Sequence, residues 1–138
     1  MMQNLLSQPS YNFSEASAND IPSSSGVYVI QDQAKNQLIY VGRTKNLRRR
    51  LLGDHKRGNI EGSQFRKSLG NSLGAESENA ISEYIKENCN FRFLLVPSFQ
   101  ETIRLEHFAT AILAPMLNVQ LKQQIKSQLI SVDSFLGT

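Results

Sequence analysis

The chain is poor in cysteine, and its apolar residues form no run long enough to cross a bilayer. A single cysteine, Cys89, cannot form an internal disulfide, which favours a reducing, cytoplasmic location. Together with two histidines it supplies too few soft ligands for a structural zinc site. No apolar stretch approaches the roughly 18 residues of a membrane span. The first residues also lack the basic start and apolar core of a signal peptide, so we expect a cytoplasmic protein with no membrane partner.

The positive charge of the chain is concentrated in one window. Seven of the 15 lysines and arginines lie in residues 43–57 beside one acid, Asp54, so this window carries +6 and the rest of the chain −3. A dense positive site suits a partner that bears phosphates, because neutralising phosphates releases condensed counterions. A solvated helix face without a partner would have the same composition, and charge alone leaves both interpretations open.

Three short runs rich in β-branched and aromatic residues predict strands, at 26–30, 38–42 and 91–96. A short polar turn joins the first two, which therefore form a hairpin. Thr44 is the expected cap of a following helix that begins at Lys45 and that Gly53 ends. The order of elements predicts an α+β fold, in which helices flank a small three-stranded antiparallel or mixed sheet made of the hairpin and the third strand.

The length of 138 residues predicts one main domain. Residues 1–23 are polar and rich in Ser and Asn, which predicts a flexible N-terminal arm. The domain itself is expected over 24–119. Residues 120–138 contain Leu and Ile at helical spacing and predict a C-terminal helical extension.

Five residues distributed over the chain form a set that could hydrolyse a phosphodiester. Tyr28 and Tyr40 lie in the two hairpin strands, Arg50 lies on the next helix, Glu106 lies on a later helix, and Asn118 follows a proline. A phenol can relay the proton of an attacking water, and an arginine fork can hold a phosphoryl group as charge develops on it. One carboxylate can hold a hard divalent ion that stabilises the leaving oxygen.

These residues and their flanking motifs resemble the signature of the GIY-YIG nucleases. In that signature two Gly/Tyr triplets are typically ten or eleven residues apart, an arginine follows on the first helix, and a helical glutamate and an asparagine after a proline come later. The matching segments are Gly26-Val27-Tyr28, Tyr40-Val41-Gly42, Arg43-Thr44-Lys45-Asn46-Leu47 with Arg50, Arg104-Leu105-Glu106 and Pro115-Met116-Leu117-Asn118.

The resemblance implies an endonuclease that hydrolyses DNA with one divalent ion, Mg²⁺ or Mn²⁺. By the same resemblance, Tyr28 would be the general base or proton relay for the attacking water. Tyr40 would support that step or position the phosphate. Arg50 would stabilise the transition state.

The remaining family positions concern the metal and the phosphate. Glu106 would bind the ion, Asn118 would order the site, and Arg43 stands where some members carry a lysine beside the scissile phosphate. Five further basic residues of the window are left to hold the DNA backbone: Lys45, Arg48, Arg49, Lys56 and Arg57.

The sequence departs from the family pattern just after Arg50. Many members carry a His or Tyr about four residues after this arginine, where the present chain has Asp54. His55 comes one residue later, beyond the expected helix end at Gly53. An unperturbed tyrosine has a pKa of roughly 10, so Tyr28 needs either a lowered pKa, which Arg50, Arg43 and a nearby cation would favour, or a partner that takes its proton. A local kink could bring His55 to it as that partner.

Competing interpretations remain at this stage. The tyrosines could be ordinary strand aromatics, and the protein could be a non-catalytic nucleic-acid-binding module or an adaptor that keeps the fold. No appended DNA-recognition module is visible in the sequence. A bare domain of this size would recognise DNA structure, form a homo-oligomer, or be brought to DNA by a targeting partner.

Overall fold

Four strands and five helices make up the part of the chain that the computed structural model describes, residues 2–113. The helix over 47–57 is called here the basic helix, and its middle part is a π-helix. In chain order the elements are α1 (Met2–Leu6), β1 (Tyr11–Asn12), β2 (Gly26–Asp32), β3 (Gln37–Thr44), the basic helix with its π-helical part Arg49–His55, α2 (Gln64–Leu73), α3 (Glu78–Asn88), β4 (Cys89–Leu95) and α4 (Phe99–Leu113).

The strands form one antiparallel sheet in the order β1-β4-β2-β3. The predicted α+β class, with a small antiparallel sheet flanked by helices, is confirmed. The sheet has four strands rather than three, because β1 adds the pairs Tyr11↔Phe91 and Asn12↔Asn90 at the edge of β4. A strand of two residues is too short to produce a recognisable alternation in the sequence.

The two faces of the sheet carry separate apolar clusters, because side chains alternate along each strand. On one face, Tyr28 and Ile30 of β2 pack with Leu51 of the basic helix and Phe65 of α2. On the opposite face, β2 and β3 pack with α4 through a second cluster, which consists of Leu5, Val27, Val29, Val41, Val96 and Ala109. The hairpin therefore lies between the basic helix and α4, the two helices that carry the predicted arginine and glutamate.

The part of the predicted flexible arm over 1–23 that the structure describes, residues 2–23, is instead folded onto the sheet. Leu5, Phe13 and Ile21 are fully buried, each with 0% of its surface exposed. These apolar residues are scattered among Ser and Asn without a period of two or 3.6, so their burial left no pattern in the sequence. The predicted boundary at 119 and the extension over 120–138 lie outside the described residues.

The basic helix also differs from the prediction at both ends. It begins at residue 47, where the Asn46 side chain caps it by accepting a hydrogen bond from the Arg49 N–H at 3.0 Å. Thr44 makes a local turn by accepting from the Asn46 N–H. Gly53 does not end the helix, which runs on to residue 57. The burial of Leu51 and His55 outweighs the roughly 1 kcal/mol that a helical glycine costs.

Serine caps begin the three later helices. The hydroxyl of Ser63 accepts the Arg66 N–H, that of Ser77 accepts the Ala80 N–H, and that of Ser98 accepts the Glu101 N–H. Helix α2 runs without a break from Gln64 to Leu73 and is capped by Gly74, whose φ of 65° is a left-handed value that favours glycine. Within residues 2–113, no helix has the length and hydropathy of a membrane span.

Candidate active site

A cavity of about 840 Å³ opens between the hairpin, the basic helix, the first turn of α2 and α4. Most of the predicted site residues line it. Arg48, Lys56 and Arg57 do not, and Asn118 lies outside the described residues. The predicted residues that line the cavity are Tyr28, Tyr40, Arg43, Lys45, Arg49, Arg50, His55 and Glu106.

The hairpin register brings the two tyrosines to this cavity. Tyr28 lies opposite Gly42, and Ile30 lies opposite Tyr40, so the tyrosines are diagonal neighbours on one face of the sheet. Their ring centroids are 6.5 Å apart. Tyr28 lies across Gly42, where an added Cβ would come within 2.3 Å of the ring carbon Cζ and the hydroxyl oxygen. The glycine of the second triplet therefore makes room for the tyrosine of the first.

Tyr28 is almost completely buried, with 2% of its surface exposed, and its hydroxyl lies 2.6 Å from His55 Nε2. Burial and, to a smaller extent, the neighbouring Tyr40 raise the pKa of the Tyr28 phenol well above its ordinary value near 10. A free phenolate is therefore disfavoured at neutral pH. Tyr28 can still pass a proton along a hydrogen bond, and His55 is placed to receive it.

His55 is held between Tyr28 and α2. Its Nδ1 lies 2.7 Å from the Ser63 hydroxyl oxygen, so both ring nitrogens have partners. Burial, followed by the charges of Arg50 and Arg66, lowers the pKa of His55 to about 3. The ring is therefore neutral at pH 7. A neutral imidazole offers one donor and one acceptor, so it links the Tyr28 phenol to Ser63 through one continuous set of hydrogen bonds.

The π-helix explains how His55 reaches Tyr28 although it follows Arg50 by five residues rather than four. In a π-helix the backbone hydrogen bonds join residues five apart, and here the Lys56 N–H donates to the Leu51 carbonyl. The wider turn brings residues at i and i+5 onto one face, as residues at i and i+4 are in an α-helix. The π-helix thereby accommodates the extra residue between Arg50 and His55, and it provides the local kink that brings His55 to Tyr28.

Asp54, at the position where many family members carry His or Tyr, pairs with Arg50 instead. The Arg50 Nη1 lies 3.1 Å from the Asp54 carboxylate and 3.3 Å from the Gly62 carbonyl oxygen. The Arg50 side chain is about one-third exposed, at 35%. It is therefore oriented by two protein contacts at one end and open to the cavity at the other.

Arg43 and Glu106 form an ion pair at the cavity that His55 also lines. The Glu106 side chain is only 14% exposed, and its other carboxylate oxygen lies 3.3 Å from the Thr110 hydroxyl. A carboxylate in such a place requires a cationic partner. Arg104, two residues before Glu106 in the chain, pairs instead with Glu101 on the surface of α4 at 3.1 Å.

Glu106 is also the residue that could hold a divalent ion. Among residues 2–113, no group of three or more His, Cys, Asp or Glu side chains converges on one point. Mg²⁺ nevertheless keeps several waters and commonly uses one or two carboxylates. A single, mostly buried glutamate at the edge of a cavity with room for those waters therefore fits Mg²⁺. The ion would take over from Arg43 as the partner of this carboxylate.

The residues predicted to hold a DNA backbone divide into two groups. Lys45 and Arg49 line the cavity, and the Lys45 ammonium lies 5.1 Å from the centroid of the Phe99 ring. Arg48 is exposed outside the cavity, and its Nε donates to the Ile21 carbonyl at 2.8 Å. Lys56 is buried, and burial lowers its pKa. Arg57 is exposed, outside the cavity.

Several residues at the site were not predicted from the sequence. Gln64 and Lys67 of α2 line the cavity beside the loop over 60–62. Ser63 and Arg66, which support His55, carry no motif. The cap at Ser63 is the kind of feature that a sequence pattern can indicate, but its second contact, to His55, is not.

Comparison with known families decides the identity of this arrangement. The family profile described as the GIY-YIG catalytic domain matches residues 11–132. The chain belongs to the GIY-YIG family. The resemblance inferred from the tyrosine triplets is confirmed, and so is the class of enzyme expected from it, a GIY-YIG nuclease. The GIY-YIG match begins at residue 11, within the segment that the structure folds onto the sheet.

Curated relatives of this GIY-YIG chain include two proteins named UvrABC system protein C. The one from Synechococcus sp. (strain JA-3-3Ab) is 28% identical over 81% of the chain, and the one from Synechococcus sp. (strain CC9311) is 30% identical over 91%. The matched parts are 15% and 16% of those two proteins. The chain therefore spans about one-sixth of the length of these relatives.

A similar GIY-YIG structure is the N-terminal endonuclease domain of UvrC from Thermotoga maritima, crystallised with its catalytic magnesium. The TM-score is 0.42 at 23% sequence identity, over 71% of the present chain and 86% of that domain.

Proposed function

We propose that the protein is a metal-dependent endonuclease that hydrolyses a phosphodiester bond of DNA. The observation that carries the proposal is the 2.6 Å contact between the Tyr28 hydroxyl and His55 Nε2, at a cavity that Arg50 and Glu106 also line. A purely structural tyrosine in a strand could take any polar group as its hydrogen-bond partner. The partner of Tyr28 is a neutral histidine, and the pair lies at a cavity lined by basic residues. Membership of the GIY-YIG family supports the same reaction class.

The first step is a proton relay. As the attacking water gives a proton to the Tyr28 oxygen, Tyr28 passes its own proton to His55 Nε2. The phenol therefore never has to carry a full negative charge, which its raised pKa would make unfavourable. A lasting imidazolium is disfavoured too, because the pKa of His55 is about 3, so His55 holds the proton only during the attack and then returns it through Tyr28 to solvent water. Ser63 accepts from the Nδ1 side of the ring and keeps the acceptor nitrogen directed at Tyr28. Tyr40, partly exposed in the cavity, contacts the water or the phosphate.

Charge that develops on the phosphoryl group is stabilised by Arg50, whose guanidinium is already oriented by Asp54 and Gly62. Arg43 lines the same cavity and supports the phosphate. Glu106 would hold one Mg²⁺ or Mn²⁺, which supplies Lewis-acid stabilisation of the leaving oxygen when bound. We propose that Asn118 orders the site, as the family pattern implies.

Lys45 and Arg49 are proposed to contact the DNA backbone, since they lie at the cavity. Arg57 could extend this contact from the surface. Arg48 is exposed but lies outside the cavity, with its Nε bonded to the Ile21 carbonyl, and Lys56 is buried, so both contribute less than the charge of the window suggests. A cytoplasmic location and a homo-oligomer or targeting partner stay predictions from the sequence.

The proposal is tested by incubating the protein with supercoiled plasmid and with branched or nicked DNA, with Mg²⁺ or Mn²⁺. We expect metal-dependent cleavage that Tyr28→Phe and Glu106→Gln each lower by about 10²- to 10⁴-fold. Matched controls are Tyr84→Phe, which removes a hydrogen-bonded phenol at Asp32 away from the cavity, and Glu101→Gln on the surface of α4. Both controls should cleave normally.

The competing function is a non-catalytic DNA-binding module, which the basic cavity favours by itself. It predicts salt-sensitive DNA binding that Lys45→Ala and Arg49→Ala weaken, without cleavage in either metal. Wild-type protein that binds DNA but never cuts it would replace the nuclease proposal with this one.

A further inference from the structure

The first turn of α2 holds His55 at two separate points. The Ser63 hydroxyl contacts the ring at Nδ1, 2.7 Å away, and the Arg66 Nη1 donates to the His55 carbonyl oxygen at 3.1 Å. The two residues also join each other, because Ser63 caps α2 by accepting the Arg66 backbone N–H at 3.1 Å. Ring and backbone of His55 are thus fixed to the same helix terminus.

Arg66 is fully buried, with 0% of its surface exposed, and this is unusual for a charged side chain. Its guanidinium also donates to the carbonyl of Lys56, to the carbonyl and carboxylate of Glu78, and to the Ser82 hydroxyl. A guanidinium with so many protein partners tolerates burial because its donors are satisfied. The side chain therefore acts as a rigid connection between the basic helix and α3.

The point of attachment is significant because the basic helix is π-helical there. The last carbonyls of any helix lack partners within it, and those of His55 and Lys56 receive them from Arg66. A π-turn is less regular than an α-turn, so neighbouring contacts must define its phase, that is, the direction in which each residue points around the helix axis. The phase of this turn decides whether His55 or an adjacent residue faces Tyr28.

We propose that Ser63 and Arg66 are positioning residues for the reaction, which hold His55 in the phase and orientation that receive the Tyr28 proton. Neither residue is placed to touch the reacting atoms, so both act through His55. The inference rests on the proposed nuclease function for its kinetic consequence. Its structural consequence, a fixed His55 ring, is independent of that function.

The kinetic test compares Ser63→Ala with Ser77→Ala. Both serines cap a helix by accepting the N–H three residues on at 3.1 Å, but only Ser63 also contacts a histidine. We expect Ser63→Ala to lower kcat for DNA cleavage by about 10- to 100-fold with KM unchanged, because the relay geometry is disturbed and the DNA contacts are not. Ser77→Ala should keep both constants. Equal kcat values for the two variants, or an increase in KM alone, would overturn the proposal.

The second readout is the ¹⁵N NMR spectrum of the histidine rings, which requires neither DNA nor metal. In wild-type protein His55 should show one neutral tautomer with a slowly exchanging ring N–H. Ser63→Ala should change the ring shifts and speed the exchange, and Arg66→Lys should do so if it folds, whereas Ser77→Ala should leave the spectrum as it is. A His55 spectrum unaffected by Ser63→Ala would refute the positioning role. If the wild type does not cleave DNA, the nuclease proposal fails while this spectroscopic result still decides the fixation of His55.

Discussion

The hairpin and the basic helix supply the two halves of the Tyr28–His55 contact, and they place their side chains in different ways. Strand β2 is paired along its whole length, with β3 on one side and β4 on the other. Its side chains therefore have fixed positions that alternate from face to face. The basic helix has loosened into a π-helix over Arg49–His55, and α2 holds its end. One half of the site is determined by a ladder of backbone hydrogen bonds, and the other by a few side chains.

This difference indicates where the site is rigid and where it can vary. A change within the hairpin must disturb a ladder of backbone hydrogen bonds or a packed ring, and we expect it to lower both the free energy of unfolding and the cleavage rate. A change within the basic helix can be absorbed as long as α2 still fixes His55. Substituting one glycine in each region separates the two cases.

The largest effect is expected for Gly42→Ala in the hairpin. The new Cβ would come within 2.3 Å of the Tyr28 ring and hydroxyl, so Tyr28 must leave its position against His55. Overpacking of this kind costs about 1–3 kcal/mol of unfolding free energy, and a displaced relay costs about 10²-fold in cleavage rate. Urea unfolding and a plasmid cleavage assay measure both. Wild-type activity in this variant would show that Tyr28 can work from another position.

A smaller effect, on stability, is expected from acid, because His55 is buried as a neutral ring. Its folded pKa of about 3 lies below its ordinary value of 6.5, so the unfolded chain binds the proton more tightly. The contribution of His55 to stability is complete above pH 6.5 and falls as the pH decreases toward 3. Near pH 5 the loss is about 2 kcal/mol.

Urea unfolding at pH 7.5 and at pH 5 measures this loss. Other groups titrate over the same range, so the control is His55→Gln, which cannot take up the proton. The difference between wild type and variant should shrink by about 2 kcal/mol at the lower pH. An equal pH dependence in both proteins would contradict a buried neutral His55.

Removing Gly53 tests whether the basic helix tolerates a change of length. The deletion would convert the π-turn into an α-turn and leave the histidine four residues after Arg50, the spacing common in the family. Because i and i+4 share a face in an α-helix, we expect the contact with Tyr28 to persist and the cleavage rate to stay within about 10-fold of wild type. A loss similar to that of Gly42→Ala would mean that the π-turn itself is required.

The smallest effect is expected for Gly53→Ala, the counterpart of the hairpin substitution. A Cβ at Gly53 meets only the Arg49 Cγ, at 3.8 Å, and the backbone there has no positive φ. Alanine is favoured over glycine in a helix interior by up to about 1 kcal/mol, so a slight gain of stability in urea unfolding should accompany unchanged cleavage. A loss of stability would show that Gly53 is needed for the π-turn.

The same contrast explains what the sequence could predict. Strand alternation is unaffected by distant contacts, so the hairpin and the presence of one tyrosine in each of its strands follow from local pattern. The register was not predicted, and it shifts between Ile30 and Gln31. A π-turn has no such pattern. Gly53 therefore indicated a helix end where the helix continues, and the position of His55 was left to a kink that only the packing against α2 could settle.

Burial is the second property that local pattern did not indicate. Arg66 is a charged residue on a helix, which normally indicates solvent, yet it has the partners that allow complete burial. Lys56 was likewise counted as a free charge, because a sum of charges has no information on whether a side chain is buried. Phe13 and Ile21 were not predicted as core residues, because the polar residues around them in the sequence indicated an exposed segment.

The strand order has a consequence for how the protein is made. The edge strand β1 is synthesised first, but its partner β4 leaves the ribosome some 80 residues later, as the pair Tyr11↔Phe91 shows. The tyrosine hairpin can close early, whereas β1 must wait for a distant segment, which slows folding. Glu106 follows later still. On the proposed mechanism, a nascent chain has its tyrosines and His55 before its metal ligand, so translation yields a competent nuclease only after α4 has emerged.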